Sequence, residues 1–372
     1  MRRPWAESTS NFVAERPTLV IFESDELPVG CQWLAPGEAT VPDDQIYKRV
    51  LQRESSTVST VKDKISVIIC TRDRPAELAR CLGSFAHQSR VPDEIVVVDN
   101  ASEDESIPQI CRAAGVTYVR EDRVGLDVAR NTGVAASTGS LILYTDDDTL
   151  LHRDWVRNLT GAFADPGIMA ATGLVLPYRL DTESRWLFER GWSFSRGYDA
   201  VEFGEEYWDR HLKVGCPAWE LGAGASMAFR REVFDRVGLF DVRLDVGQAG
   251  CSGDSEFWYR LLSAGYRCRY EPTAVVYHDH RATMQGLARQ LRAYMRGHTA
   301  ALLIQYQRTG QIGNLRRLLY YLPRHLLGLA WGRLLGRVPP ESRFLREQIT
   351  GAVAGIGFFF RNRHVKASEE SA

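Results

Sequence analysis

Four short apolar runs alternate with segments of helical periodicity in the first half of the chain. The runs are ISVIIC (65–70), EIVVVD (94–99), VTYV (116–119) and SLILYT (140–145). Runs this short and this rich in β-branched residues are typical of strands buried on both faces of a sheet. Between them, apolar residues recur at helical spacing, as Leu78, Leu82 and Phe85 do after Pro75. The alternation predicts βαβ units and an α/β fold with a mostly parallel sheet flanked by helices.

The pattern changes on either side of this region. Prolines interrupt the segment before Val61, where only Thr18–Phe22 is typical of a strand. A helix from about Asp254 to Ala264, a strand over 269–278 and a long helix from Met284 are predicted later, followed by leucine-rich and apolar segments up to Phe360. We therefore divide the chain into a poorly defined N-terminal extension (1–62), an α/β domain (63–282) and a basic helical C-terminal region (283–372).

Polar residues cluster at the predicted ends of three buried strands. They are Thr71-Arg72-Asp73, Asp99-Asn100 and Asp146-Asp147-Asp148. Ligands of open α/β sheets bind beyond the carboxyl ends of the strands, so these side chains are candidates for binding. Asp146 and Asp148 offer hard oxygen ligands suited to Mg²⁺ or Mn²⁺. The alternatives are that Asp and Asn cap the following helices, and that the triple Asp is a solvated acidic turn.

Six motifs, in their order along the chain, resemble those of the family 2 inverting glycosyltransferases of the GT-A fold. They are SVIICTRDRP (66–75), DEIVVVDNASED (93–104), GLDVARNTG (125–133), LYTDDDT (143–149), GAGASMAFRREVFDRVGLFD (222–241) and GDSEFWYRLLSAGYRCRYEPTAVVYH (253–278). The resemblance covers residues 65–280. It implies a GT-A catalytic domain that moves a sugar from a nucleotide-diphosphate sugar, most often a UDP-sugar, to an acceptor hydroxyl. It does not identify the sugar or the acceptor. The acceptor is expected to be a lipid-linked molecule or another glycoconjugate.

The resemblance also implies roles for individual residues. The nucleotide-binding positions are Thr71, Arg72, Asp99, Arg130 and Asp146. The metal-binding positions, for Mn²⁺ or Mg²⁺, are Asp148, Asp146 and His278, and His280 competes with His278 for this role. The loop beside the donor sugar is Gly222, Ala223 and Gly224, where glycine permits close approach.

Asp254 matches the catalytic base of the family's Glu-Asp motif, but Gly253 occupies the usual Glu position. Glu256, two residues further on, is therefore an alternative base. An inverting transfer needs one such group to take the proton of the acceptor hydroxyl. The other interpretation of Asp254 is a carboxylate that only stabilises a helix N-terminus.

Charge is divided unevenly along the chain. From Arg281 onward there are 15 Lys and Arg against 4 Asp and Glu, a net charge of +11. Since the whole chain carries −1, the part that precedes Arg281 carries −12. The net charge of −1 for the whole chain argues against nucleic acid as a partner. Arginines beside apolar segments over 284–360 favour contact with an anionic membrane surface, and a helical bundle that only packs on the catalytic domain is the alternative.

The chain shows none of the usual signs of export. Its seven cysteines include no CxxC pair, the N-terminus has no apolar signal-peptide core, and no run of about 18 apolar residues occurs. We expect a cytoplasmic protein, peripheral at the inner face of the membrane. A dehydrogenase is excluded because no GxGxxG follows the first strand. The remaining alternative is a catalytically inactive GT-A protein that binds nucleotide sugars or acts as a membrane scaffold.

Overall fold

The computed structural model describes residues 2–4, 13–40, 44–54, 61–103, 105–336 and 339–365. The N-terminal segments, up to Glu54, form a small three-stranded sheet and one helix. The strands are β1 (Arg2–Pro4), β2 (Thr18–Ser24) and β3 (Leu27–Leu34), in the order β1-β2-β3. Helix α1 (Asp44–Glu54) packs against this sheet. Val20, Phe22, Val29 and Ile46 are in its separate apolar core. The sequence predicted only β2. Other parts of the predicted 1–62 extension, and residues 366–372 of the C-terminal region, lie outside the described residues.

A nine-stranded sheet of order β10-β12-β9-β11-β7-β4-β5-β6, with β8 paired to β12, forms the centre of the molecule. Its strands are β4 (Ile65–Thr71), β5 (Glu94–Asn100), β6 (Thr117–Glu121), β7 (Leu141–Asp146), β8 (Thr149–Leu151), β9 (Ile168–Pro177), β10 (Val201–Phe203), β11 (Ser226–Arg230) and β12 (Arg267–His278). The half made of β7, β4, β5 and β6 is parallel, as the buried apolar runs predicted.

Helices cover both faces of this sheet, and two apolar cores lie between the layers. The helices are α2 (Pro75–Phe85), α3 (Ile107–Ala114), α4 (Leu126–Ala136), α5 (Trp155–Gly161), α6 (Glu183–Trp192), α7 (Glu205–His211), α8 (Glu232–Val237) and α9 (Gly253–Ser263).

Strand direction brings distant parts of the chain to one edge of the sheet. β4, β5 and β7 are parallel, so Thr71, Asp99 and Asp146 end there together. β11 runs antiparallel to β7, and Ser226 pairs with Thr145, so the segment that precedes β11 starts at the same edge. β9 and β12 also end there, because β9 is antiparallel to β11 and parallel to β12.

The C-terminal region is helical, as predicted. It contains α10 (Met284–Thr309), α11 (Ile312–Arg316), a π turn (Arg317–Tyr321), α12 (Leu322–Leu334), a 3-10 turn (Pro340–Phe344) and α13 (Leu345–Asn362). Thr283 Oγ1 accepts from Gly286 N at the start of α10, and Gly310, with φ of 68°, ends it. In the described part of the chain, every helix is too short or too polar to cross a bilayer.

Candidate active site

Two carboxylates and one imidazole meet where β7 and β12 end. Ligand atoms of Asp146, Asp148 and His278 all lie within 4.8 Å of one another, and His278 Nε2 lies 3.2 Å from Asp148 Oδ1. Burial raises the pKa of Asp146, and the neighbouring charge of Asp148 adds to this. Burial acts on Asp148 in the same direction, but His278 and Arg74 outweigh it and lower its pKa. This donor set, with one carboxylate held as an anion, fits a divalent cation such as Mn²⁺ or Mg²⁺.

The middle acid of the triple Asp has a different environment. Asp147 accepts from Thr71 Oγ1 at 2.8 Å and from Arg74 Nη1 at 2.9 Å. Burial and the charge of Asp148 raise its pKa to about 7. Arg74 Nη1 also lies 2.9 Å from Asp148 Oδ2. Arg72, named from the sequence, is exposed and lies 3.6 Å from Asp73, so Arg74 rather than Arg72 is the arginine that contacts the acidic triple.

Asp99 is buried at the end of β5. Its Oδ1 accepts from Ser102 N at 3.1 Å, and its Oδ2 accepts from Tyr118 Oη at 2.9 Å and from Arg120 Nη1 at 3.0 Å. Burial opposes ionisation, but these hydrogen bonds outweigh it and lower the pKa of Asp99. Asp99 is therefore a fixed anion beside Thr71, its partner in the β4–β5 pairing.

Arg130 lies buried between two carboxylates. Its Nη1 lies 2.8 Å from Asp127 Oδ1 and 2.8 Å from Asp245 Oδ2. A methyl group at Gly224 would come within 2.8 Å of Arg130 Nη2. A side chain at position 224 would therefore crowd the buried guanidinium group of Arg130.

Asp254, in the first turn of α9, contacts the same loop. Its Oδ2 accepts from Gly224 N at 2.8 Å, and its Oδ1 accepts from Ser255 N at 2.6 Å. Burial raises the pKa of Asp254, and the charge of Asp245 adds to this, while Arg130 opposes it. On the other side of the loop, Gly222 packs against Thr172, where a methyl group would lie 2.6 Å from Thr172 Cβ. Asp254 and the 222–224 loop thus form one buried unit.

The missing Glu of the Glu-Asp motif has a steric explanation. A methyl group at Gly253 would overlap the carboxylate of Asp127, which reaches it from α4. Asp127 is fully buried, and its Oδ2 has no hydrogen-bond partner among the described residues. Burial and the charge of Asp245 raise its pKa well above the ordinary value. A carboxyl group therefore lies where a side chain at position 253 would begin.

The alternative residues have other partners. Both Glu256 oxygens lie close to Arg260 Nε, at 3.0 and 2.9 Å, and Glu256 Oε1 lies 3.3 Å from Arg308 Nε. This buried ion pair makes Asp254 the better candidate for the base. His280 Nδ1 lies 3.0 Å from His278 Nδ1 and is not in the group of three metal-ligating side chains.

Residues 66–238 match the family model described as "Glycosyl transferase family 2". They form a family 2 glycosyltransferase domain. The mostly parallel sheet with helices on both faces is the GT-A fold, and a solved glycosyltransferase structure has a similar fold. The mannosyltransferase PcManGT from Pyrobaculum calidifontis, in complex with GDP-Man and Mn²⁺, has a TM-score of 0.53 and 19% identity, covering 83% of this chain and 93% of that one.

Curated relatives are also named as glycosyltransferases. The pre-mycofactocin glycosyltransferase of Mycobacterium tuberculosis (strain H37Rv) is 28% identical over 250 residues, 65% of this chain and 48% of that protein. The O-antigen chain rhamnosyltransferase RfbN of Salmonella typhimurium (strain LT2) is 26% identical over 224 residues, 59% of this chain and 68% of that protein. The chain thus spans about half the length of the mycobacterial relative.

Three charged residues of the candidate active site were missed from the sequence. Arg74 and Asp127 lie inside motifs that the sequence singled out, TRDRP and GLDVARN, but one sequence does not show which charged side chain of a motif faces the site. Asp245 lies outside all six motifs. It contacts Arg130 from a loop 115 residues further along the chain, and a sequence pattern does not show such a contact.

Proposed function

We propose that this chain is a metal-dependent, inverting glycosyltransferase that moves a sugar from a nucleotide-diphosphate sugar to an acceptor hydroxyl. The observation that carries the proposal is the gathering of two separate acidic groups at one sheet edge. Asp146, Asp148 and His278 form a hard donor set, and Asp254 is held apart from them against the 222–224 loop. The first group suits a metal-bound diphosphate and the second suits a base.

The metal group supports binding of the donor. Asp146, Asp148 and His278 would hold Mn²⁺ or Mg²⁺. A divalent cation bound there supplies positive charge to a diphosphate leaving group. The chain before Arg281 carries a net charge of −12, so it would repel a bare diphosphate. Thr71, Arg72, Asp99 and Arg130 are proposed to bind the nucleotide, with UDP preferred on the family resemblance and GDP or dTDP as alternatives.

Asp254 is proposed as the base that takes the proton from the acceptor hydroxyl. Its raised pKa favours this role, since a carboxylate with a higher pKa accepts a proton more readily. Its hydrogen bonds with Gly224 N and Ser255 N fix the carboxylate. The 222–224 loop would then place the donor sugar beside the base.

We further propose that residues 63–282 are the catalytic domain, with 1–62 as an accessory layer and 283–372 as a helical region. The acceptor is a hydroxyl of a lipid-linked molecule or another glycoconjugate, and the enzyme works at the inner face of a membrane. The exposed apolar side chains of α12 support this position.

Replacing Asp254 tests the proposed function. Asp254→Asn removes the proton acceptor but keeps the shape of the side chain, so transfer should fall by about 10³-fold. Donor binding, measured by the thermal shift that each of a panel of nucleotide sugars gives with and without Mn²⁺, should stay unchanged.

Asp235→Asn, at an exposed position, is the matched control and should keep full transfer. Full turnover by Asp254→Asn would contradict the assignment of the base. Donor binding by the native chain with neither transfer nor donor hydrolysis would instead favour an inactive nucleotide-sugar-binding protein.

A further inference from the structure

Helix α12 exposes a row of large apolar side chains. Leu327, Trp331 and Leu334 are 70%, 64% and 78% exposed. They lie at i, i+4 and i+7, on one side of the helix. We call these three residues the α12 face. No described residue of α12 is buried, and Leu319 and Tyr320 of the preceding π turn are exposed too. Contiguous exposed apolar residues of this kind are typical of a surface that contacts a membrane, another protein or a ligand.

The stretch of chain that carries the α12 face is strongly basic. Residues 280–340 contain ten Arg and no Asp or Glu. Arg316, Arg324 and Arg333 are exposed. No ion pair recorded for the described residues involves Arg324 or Arg333. The natural partner of such a surface is both apolar and negatively charged.

We propose that the α12 face docks on a bilayer that contains anionic lipids. The helix would lie in the plane of the headgroups, with its apolar side chains in the acyl boundary and its arginines at the phosphates. A second copy of the chain is a poorer partner, because it would bring the same arginines to the interface. No described helix is long and apolar enough to span the bilayer, so the contact is peripheral.

Packed elements connect this surface to the candidate active site. α12 contacts the turn Pro340–Phe344, and this turn contacts α6. α6 carries Glu189, which lies 3.0 Å from His280, the neighbour of His278. If the proposed function holds, docking would bring the His278 side of the site towards an acceptor that is carried by a lipid.

Co-sedimentation with vesicles tests the docking surface on the full chain. The native protein should bind vesicles of phosphatidylcholine with phosphatidylglycerol, bind pure phosphatidylcholine much less, and release partly at high salt. Leu327→Glu with Trp331→Glu should lower partitioning at least about tenfold without changing the melting temperature, since both side chains are exposed.

Two exposed apolar residues elsewhere supply the control for this experiment. Leu51 and Val91 are 67% and 74% exposed, and Leu51→Glu with Val91→Glu adds the same charge, so it should leave partitioning near the native value. Equal partitioning of the two double variants, or no preference for anionic vesicles, would overturn the proposal. So would a native dimer, seen by light scattering, that the α12 substitutions dissociate.

A second, independent observation concerns the side of His278 that faces away from the acidic pair. His278 Nδ1 lies 3.0 Å from His280 Nδ1, and His280 Nε2 lies 3.0 Å from Glu189 Oε2. Ser193 Oγ donates to the other Glu189 oxygen at 2.6 Å. The imidazole of His280 and the carboxylate of Glu189 are both buried. This chain of contacts has only one consistent order of donors when the two imidazoles are neutral.

The order starts at the carboxylate, which can only accept. His280 Nε2–H donates to Glu189, so the Nδ1 of a neutral His280 accepts from His278 Nδ1–H. The lone pair of His278 then lies on Nε2, the atom that faces Asp148. We infer that Glu189 and His280 are positioning residues that aim His278 Nε2 at the metal site, an inference that rests on the proposed function.

Mn²⁺ affinity, measured by titration calorimetry on the protein without substrate, tests this inference. Glu189→Ala should weaken Mn²⁺ binding by about tenfold. Glu183→Ala, on the same helix but with an exposed side chain, should leave it unchanged. His280→Phe gives a second route, because it keeps a ring against Phe188 and Phe194 while losing the hydrogen bond, and it should weaken Mn²⁺ binding to a similar extent.

Asp148→Asn separates failure of this inference from failure of the proposed site. Unchanged Mn²⁺ affinity in Asp148→Asn would overturn the metal site itself. A loss in Asp148→Asn together with native affinity in Glu189→Ala and His280→Phe would overturn only the positioning role.

Discussion

At the scale of single residues, the pairing of Asp127 with Gly253 is the clearest departure from the family pattern. The Glu of the Glu-Asp motif is absent, and a carboxyl group from α4 fills the space where its side chain would begin. The same carboxyl group contacts Arg130, which lies against the Gly224 loop. Asp254, the proposed base, therefore keeps an acidic neighbour, which α4 supplies.

A double-mutant cycle checks this steric relation. Gly253→Ala should destabilise the fold by about 2 kcal/mol, because the methyl group overlaps a buried carboxylate that has little room to move. With Asp127→Ala as the background, the same substitution should cost less, giving a coupling of at least about 1 kcal/mol in urea unfolding. Gly83→Ala, at a helical glycine with open space around it, is the control. Simple additivity of the two changes would show that the two positions do not compete for space.

At the scale of elements, an ionic cluster joins the C-terminal end of α10 to the loop between α8 and α9. Arg308 Nη2 lies 2.6 Å from Asp241 Oδ2, and Arg243 Nη2 lies 2.7 Å from the same oxygen. Asp241 is fully buried. Burial opposes its ionisation, but the two arginines outweigh this and lower its pKa. The position of α10 therefore depends on a carboxylate that must stay charged.

This cluster predicts a pH dependence of stability. Since the native pKa of Asp241 is below the unfolded value of about 3.9, the cluster stabilises the fold fully above that pH and loses its effect as the pH falls through the native pKa. Asp241→Asn should cost about 3 kcal/mol at pH 7, because the buried Arg243 loses its carboxylate partner and Arg308 keeps, of the residues described, only Glu256. The difference in unfolding free energy between native protein and variant should shrink towards pH 3. A difference that stays constant from pH 7 to pH 3 would contradict the role given to Asp241, and exposed Asp235→Asn should show no effect at either pH.

At the scale of the whole molecule, the sequence predicted the order and location of the strands and helices, but it did not predict which charged side chains contact each other. Buried strands and their acidic ends were predictable because apolar runs and strand-end polarity are local patterns, and β4, β5 and β7 lie where those patterns placed them. The pairing of Asp127 with Gly253, and of Asp245 with Arg130, depends on how α4, α9 and the loop before α9 pack. A local sequence pattern does not show contacts between residues that are far apart in the chain, so these pairs were recognised only in the structure. The small N-terminal sheet was missed for a similar reason, since its proline-interrupted strands are stabilised by pairing with one another.

The order of strands also has a consequence for how this chain is made. β7 lies between β4 and β11, but β7 is complete at Asp146 and β11 only at Arg230. At ribosomal rates of about 5–20 residues per second, the hydrogen-bonding groups on one side of β7 wait roughly 4–17 s for their partner. During that interval one edge of the apolar strand LILYT is unpaired and can pair with other nascent chains on the same mRNA. One side of β7 is therefore open to mispairing between the synthesis of Asp146 and that of Arg230.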